Sequence, residues 1–61
     1  MYRVDVVRWE NRYNVVLRRK TTFYPVYLTE RTYRRVGKTL AQAIVRKVQA
    51  DHRDVVVNWV E

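Results

Sequence analysis

Polar and apolar residues alternate along the first part of this chain and later change period, and that change divides it into elements. Between Tyr2 and Trp9, the residues Tyr2, Val4 and Val6 fall on one side of an extended backbone and Arg3, Asp5, Val7 and Trp9 on the other, which predicts a first strand. Glu10-Asn11-Arg12 is a short polar connection, after which Tyr13, Val15 and Leu17 alternate with Asn14, Val16 and Arg18. A β-hairpin is the simplest reading of the two runs. Arg18-Arg19-Lys20-Thr21-Thr22 then makes a basic, polar tip, and Phe23-Tyr24-Pro25-Val26-Tyr27-Leu28 reads as a third extended segment. Pro25 has no N–H to donate, so this segment is expected at a sheet edge or with an irregular start.

Beyond Glu30 the apolar positions take helical spacing. Tyr33, Val36, Gly37, Leu40, Ala41, Ile44 and Val48 share one face of a helix predicted from Thr32 to Ala50, with Thr32 as its N-cap. At 1.5 Å per residue it is about 27 Å long, enough to lie across a sheet. Gly37 on the buried side is read as a close approach of helix and sheet backbones. Asp51-His52-Arg53-Asp54 closes the helix, with His52 placed to interact with its last carbonyls, and Val55 to Val60 is β-branched and aromatic enough for a final strand. The pattern therefore predicts a single α+β domain over residues 1–61, in the order β-β-β-α-β. Its antiparallel sheet has three or four strands, with one helix packed on one face.

Three stretches carry a resemblance: Tyr2-Arg3-Val4-Asp5-Val6-Val7-Arg8-Trp9, the hairpin return Tyr13-Asn14-Val15-Val16-Leu17, and the helix with Leu40-Ala41-Gln42-Ala43-Ile44 before the strand Asp54 to Trp59. In this order they resemble the core domain of HicB-like antitoxins. The resemblance implies a partial RNase H-like fold of three strands, a helix and a last strand, and a regulatory role. The family usually has a Pro- and Gly-containing connection between its second and third strands, where this chain has Arg18 to Pro25. Family members also tend to be acidic and often add a DNA-binding segment, whereas this chain is basic and stops at Glu61. The resemblance thus points to a stand-alone or bacteriophage-encoded relative.

Charge narrows the partner class. Thirteen Lys plus Arg against six Asp plus Glu give a net charge of +7 on 61 residues, which draws polyanions: nucleic acid or an acidic protein surface. Arginine far outnumbers lysine, and part of that excess is what GC-rich codon usage produces. A chain this short buries only about 60% of its unfolded surface, so a partner or a second copy would add to its stability. With no cysteine it has neither disulfides nor thiolate metal ligands, and a cytosolic setting is expected. No apolar run approaches the roughly 20 residues of a membrane span, and no signal-type block follows Met1, so no membrane association is expected.

Catalytic chemistry has little to work with, because the chain has no Cys, no Ser and one His. Asp5 invites comparison with an RNase H-type acidic centre, yet two-metal hydrolysis needs several converging carboxylates, and the pattern puts no other on that face. A solvated strand Asp paired with a neighbouring Arg is the expectation. Neither a metal, a cofactor nor a small-molecule substrate is expected, and the reading is of a non-catalytic binding module.

Two binding surfaces emerge. Arg31, Arg34, Arg35 and Lys38 crowd the first turns of the predicted helix, where the macrodipole disfavours cations, so helix stability does not call for them. With Arg18, Arg19 and Lys20 at the hairpin tip they are expected to form a cleft for phosphates, with Tyr24, Tyr27 or Trp9 available for base stacking. The second surface is apolar. If Tyr2, Val4, Val6, Val15, Leu17, Val55, Val57 and Trp59 face the helix, then Val7, Trp9, Val16, Val56 and Val60 share the opposite face, which is expected to be more polar when it meets only water. That patch, or a sheet edge, suits a protein partner, including a second copy of the chain.

Overall fold

The structure is a computed structural model that describes residues 1–20 and 26–60. Its elements are β1 (Tyr2–Trp9), β2 (Arg12–Arg19), β3 (Leu28–Val36), α1 (Lys38–Asp51) and β4 (Val55–Val60). They form a four-stranded mixed sheet in the order β3-β2-β1-β4 with one helix, an α+β fold.

The alternating run at the start of the chain forms the hairpin it predicts. β1 and β2 pair antiparallel without interruption from Tyr2↔Arg19 to Trp9↔Arg12. Only Glu10 and Asn11 lie in the loop, so Arg12 belongs to the strand. Glu10 has φ 58°, the left-handed backbone that tight hairpin turns demand and that glycine or asparagine adopts at lower cost.

The third strand departs from the sequence reading. It occupies Leu28–Val36, where the helix was expected to begin, and Thr32 lies inside it, paired with Val16. Of the predicted extended segment Phe23 to Leu28, residues 23–25 lie outside the described residues, and Leu28 alone belongs to the strand. Helical spacing was misleading here because β3 is bulged. Tyr13 pairs with Val36 and Val15 with Tyr33, so Asn14 of β2 alone faces two residues of β3, Arg34 and Arg35. An extra residue in a strand moves successive inward side chains from two to three positions apart, and that separation imitates a helix turn. Arg35 sits at the bulge with φ 55°, and its N–H donates to Asn14 Oδ1 at 3.1 Å. A second irregularity lies between Leu17 and Arg18.

The helix is accordingly shorter than expected, and its N-cap is Gly37, not Thr32. Gly37 has φ −71° and ψ 165°, an extended backbone open to any residue, and its carbonyl accepts the first helical bond from Ala41 N–H at 2.9 Å. A Cβ built there meets only Arg12 Nη1 at 3.9 Å, so Gly37 does not mark a close backbone approach. The buried face is Ala41, Val45 and Val48, with Ile44 partly buried; Leu40, expected inside, is 53% exposed. Moving the start of the helix from Thr32 to Lys38 removes Tyr33 and Val36 from its face and shifts the stripe onto Val45. At the other end His52 is the C-cap, its N–H bonded to Val48 O at 3.0 Å and its ring stacked on Tyr2 at 3.7 Å.

Because β3 runs in the same direction as β1, and α1 carries the chain back along the sheet, β4 must also run that way. It pairs parallel with β1 from Tyr2↔Val55 to Val7↔Val60, which corrects the wholly antiparallel expectation. The core lies between helix and sheet. Val4, Val6 and Val15 are fully buried, joined by Tyr13, Val36, Ala41, Val45 and Val48, with Leu17, Tyr33, Val55 and Val57 packed around them. Each fully buried valine contributes about 1.5–3 kcal/mol of burial, and there are few of them, so the fold rests on a narrow base. Trp59 closes one end, edge-on to Tyr13 with ring centroids 6.1 Å apart.

Candidate nucleic-acid interface

The helix covers one face of the sheet; the other has no element packed on it among the described residues. Alternation and register place Arg3, Asp5, Val7 and Trp9 of β1, Arg12, Asn14, Val16 and Arg18 of β2, and Val56, Asn58 and Val60 of β4 on that open face. Across the strands, Arg3 lies between Arg18 and Val56, Asp5 between Val16 and Asn58, and Val7 between Asn14 and Val60, while Trp9 lies opposite Arg12.

At the centre stands Asp5. It is 8% exposed, the one buried charged residue among those described, although it lies on the face without a helix. Its Oδ1 accepts from Arg3 Nε at 2.9 Å and from Asn58 Nδ2 at 3.2 Å, and its Oδ2 lies 3.4 Å from Arg18 Nε. The pairing with a neighbouring arginine was expected; the burial was not. Two arginines and an amide roof the carboxylate and replace the water that a strand Asp would otherwise hold. Tyr27 flanks the group, 5.9 Å from Arg3 Cζ and 6.0 Å from Lys20 Nζ measured to its ring centre.

The far end of the open face is different in kind. Trp9, 69% exposed, lines a hollow with Arg12, Asn14, Arg34 and Arg35. Three guanidinium groups and an indole share this corner, and among the described residues no carboxylate lines it. Its shape follows from local structure. The two-residue loop sets Arg12 across from Trp9, and the bulge that Asn14 secures turns Arg34 and Arg35 toward them. A third hollow beside the loop adds Glu10 and Asn11.

The helix-covered side has a hollow of its own, lined by Leu17, Glu30, Arg31, Tyr33, Lys47, Val48, Asp51 and His52. Its charges are mixed, and Lys47 pairs with Asp51 at 3.8 Å. Arg31 donates to Tyr33 Oη at 3.3 Å, and that bond raises its already high pKa.

The cationic residues singled out in the sequence therefore do not gather in one cleft. Arg31, Arg34 and Arg35 lie on β3 and not on the helix, while Lys38 is the first residue of α1. Arg34 and Arg35 sit at the Trp9 corner, Arg31 faces the helix side, and Arg18, Arg19 and Lys20 lie at the opposite end of β2. Along β2 the two ends are about 20 Å apart, at roughly 3.3 Å per residue. Tyr27 stands near Lys20, and Tyr24 lies outside the described residues. Of the apolar set on the open face, Val7, Trp9, Val56 and Val60 are exposed and Val16 is partly covered.

Sequence reasoning missed Arg12, Asn14, Arg3 and Asn58. Trp9 and Arg12 flank a two-residue loop, and that spacing alone makes them cross-strand partners; the role of Asn14 depends on the bulge and leaves no mark in the local pattern.

Among the described residues no group of three or more His, Cys, Asp or Glu is placed to hold a metal ion, and no helix is long and apolar enough to cross a membrane. Compared with family models, curated proteins and solved structures, the chain matches none.

Proposed function

We propose that this protein is a small, basic, non-catalytic binding module that takes single-stranded nucleic acid on the open face of its sheet, in a regulatory or host-modulating role in the cytosol. The observation that carries the reading is the Trp9 corner: an indole 69% exposed, with Arg12, Arg34 and Arg35 around it and, among the described residues, no acidic side chain in its lining. An exposed aromatic plane accepts a base of any sequence by stacking, and surrounding cations hold the adjoining phosphates. A duplex keeps its bases stacked inside and gives Trp9 nothing to stack on. Kinship with HicB-like antitoxins belongs to the same proposal; the order of three strands, helix and last strand, with the helix on one face, supports it.

The test is a fluorescence anisotropy titration of labelled oligo(dT), its RNA counterpart and a duplex against the protein over a range of salt. Binding is expected to favour single strands. The slope of log K against log salt is expected near −0.7 for each phosphate contacted, or about −2 for the three arginines of the corner. No change in anisotropy at low salt contradicts the reading.

A second reading, a protein-interaction module, is favoured by the contrast between the two sheet edges. β3 carries Glu30, Arg31, Arg34 and Arg35 and is irregular at two places, all devices that discourage pairing. β4 is Val-Val-Val-Asn-Trp-Val, uncharged and regular in its pairing with β1, and Val56 and Val60 are exposed. Such an edge accepts another strand, from an antitoxin's target, a host protein or a second copy of this chain. Sedimentation of the wild type against Val56→Lys decides the last case: a dimer lost on substitution favours it, and a monomer in both removes it.

A further inference from the structure

Arg3 and Arg18 lie directly opposite each other on neighbouring strands, an arrangement that like charges make unfavourable. Asp5 compensates, and the way it does so is informative. It meets both arginines at Nε, at 2.9 Å and 3.4 Å. A carboxylate that binds a guanidinium for stability alone commonly takes two parallel N–H bonds from it. Here one carboxylate is spread over two guanidinium groups, and among the described residues no hydrogen bond engages the Nη nitrogens of either. Arg18 Nε is itself buried and, among the described residues, makes no hydrogen bond, its 3.4 Å approach to Asp5 being an ion pair only.

We infer that Asp5, Arg3 and Arg18 form a phosphate clamp on the open face, in which Asp5 is the positioning residue and the two arginine forks hold a phosphodiester. This rests on the nucleic-acid reading above and extends it to the other end of the sheet. The two arginine side chains keep about two-fifths of their surface exposed while the carboxylate between them is nearly covered, so an anion arriving from solvent meets the arginines first. Lys20 and Tyr27 border the clamp, adding a third cation and a ring. From Arg3 to Trp9 is six residues along β1, about 20 Å at 3.3 Å per residue. A strand stacked at about 3.4 Å per nucleotide needs about six nucleotides to reach from the clamp to the indole. Val7 and Val60 form an uncharged floor between the two ends.

The inference makes a prediction with an unusual sign. Removing a negative charge from a basic surface ordinarily strengthens its hold on a polyanion; here Asp5→Asn releases the two forks, and oligo(dT) binding is expected to weaken about tenfold, the scale of a lost charge-assisted hydrogen bond. Arg18→Lys keeps the charge and loses the fork, and is expected to weaken binding to a similar degree. Circular dichroism establishes that each variant is folded, and if Asp5→Asn is not, Arg18→Lys decides. In parallel, the arginine Nε–Hε resonances of the wild type are followed by NMR as inorganic pyrophosphate is added, and those of Arg3 and Arg18 are expected to shift together. Undiminished or tighter oligo(dT) binding by Asp5→Asn, or by Arg18→Lys where that variant decides, overturns the clamp and leaves the Trp9 reading intact. Shifts with pyrophosphate but no oligo(dT) binding by the wild type support the clamp as an anion site and overturn the nucleic-acid reading. Neither response overturns both.

Discussion

Val4 and Asp5 are neighbours in β1 and both are almost wholly removed from water, yet they are held by different means. Val4 points to the helix and meets other apolar side chains, as Val6 and Val15 do. Asp5 points the other way and is covered by Arg3, Arg18 and Asn58, long polar groups that fold over it from the same face. The first kind of burial is non-directional and repays any close packing. The second is directional, and it fixes where cations stand. The two faces of one sheet thus divide the work: the covered face supplies the stability, and the open face arranges charge, with exposed Val7, Trp9, Val56 and Val60 between and around the polar groups.

The strongest way to break this division is to weaken the covered face. Val15→Ala removes two methyl-sized groups from a fully buried site and is expected to cost about 2–3 kcal/mol in urea denaturation. That is a large part of the roughly 3–9 kcal/mol that 61 residues command at about 0.05–0.15 kcal/mol each. Nucleic-acid affinity per folded molecule is expected to be unchanged. The mirror experiment is Trp9→Ala, expected to cost about 1–3 kcal/mol of single-strand binding while stability shifts by less than about 0.5 kcal/mol. A Trp9 variant that loses stability and keeps its affinity breaks the comparison.

Arg34→Ala combined with Arg35→Ala sharpens it. The variant is expected to flatten the slope of log K against log salt by about 1.4, two contacts at roughly 0.7 each, with little effect on the thermal midpoint. The smallest effect is expected at the hairpin loop. Glu10→Gly relieves a positive φ of 58° and is expected to stabilise the fold by about 0.5–1 kcal/mol, read as a raised urea midpoint at constant m-value.

Much of the fold could be read from the chain because period two is unambiguous when one face is buried. β1, β2 and β4 show this, with Tyr2, Val4, Val6, Val15, Leu17, Val55 and Val57 on the covered side as their alternation implies. β3 was misread for a physical reason: its bulge set Tyr33 and Val36 three residues apart, and the same error carried Arg31, Arg34 and Arg35 onto a helix. The parallel pairing of β4 follows from chain path and not from local pattern. The candidate site was visible as parts, since Trp9 and the arginines stood out, but which arginines neighbour Trp9 depends on register across three strands. The burial of Asp5 could not be read at all, because nothing in a strand's own sequence tells whether two cross-strand neighbours will fold over it.

The central claim, that the open face and not the helix side receives nucleic acid, is tested most directly by recording backbone amide and tryptophan indole NMR shifts as oligo(dT) is added. The account expects the largest changes at the Trp9 indole and at Arg12, Asn14, Arg34 and Arg35, with smaller ones at Arg3 and Arg18 and none at Lys47, Asp51 or His52. Changes centred on the helix side, or confined to the β4 edge, would contradict it.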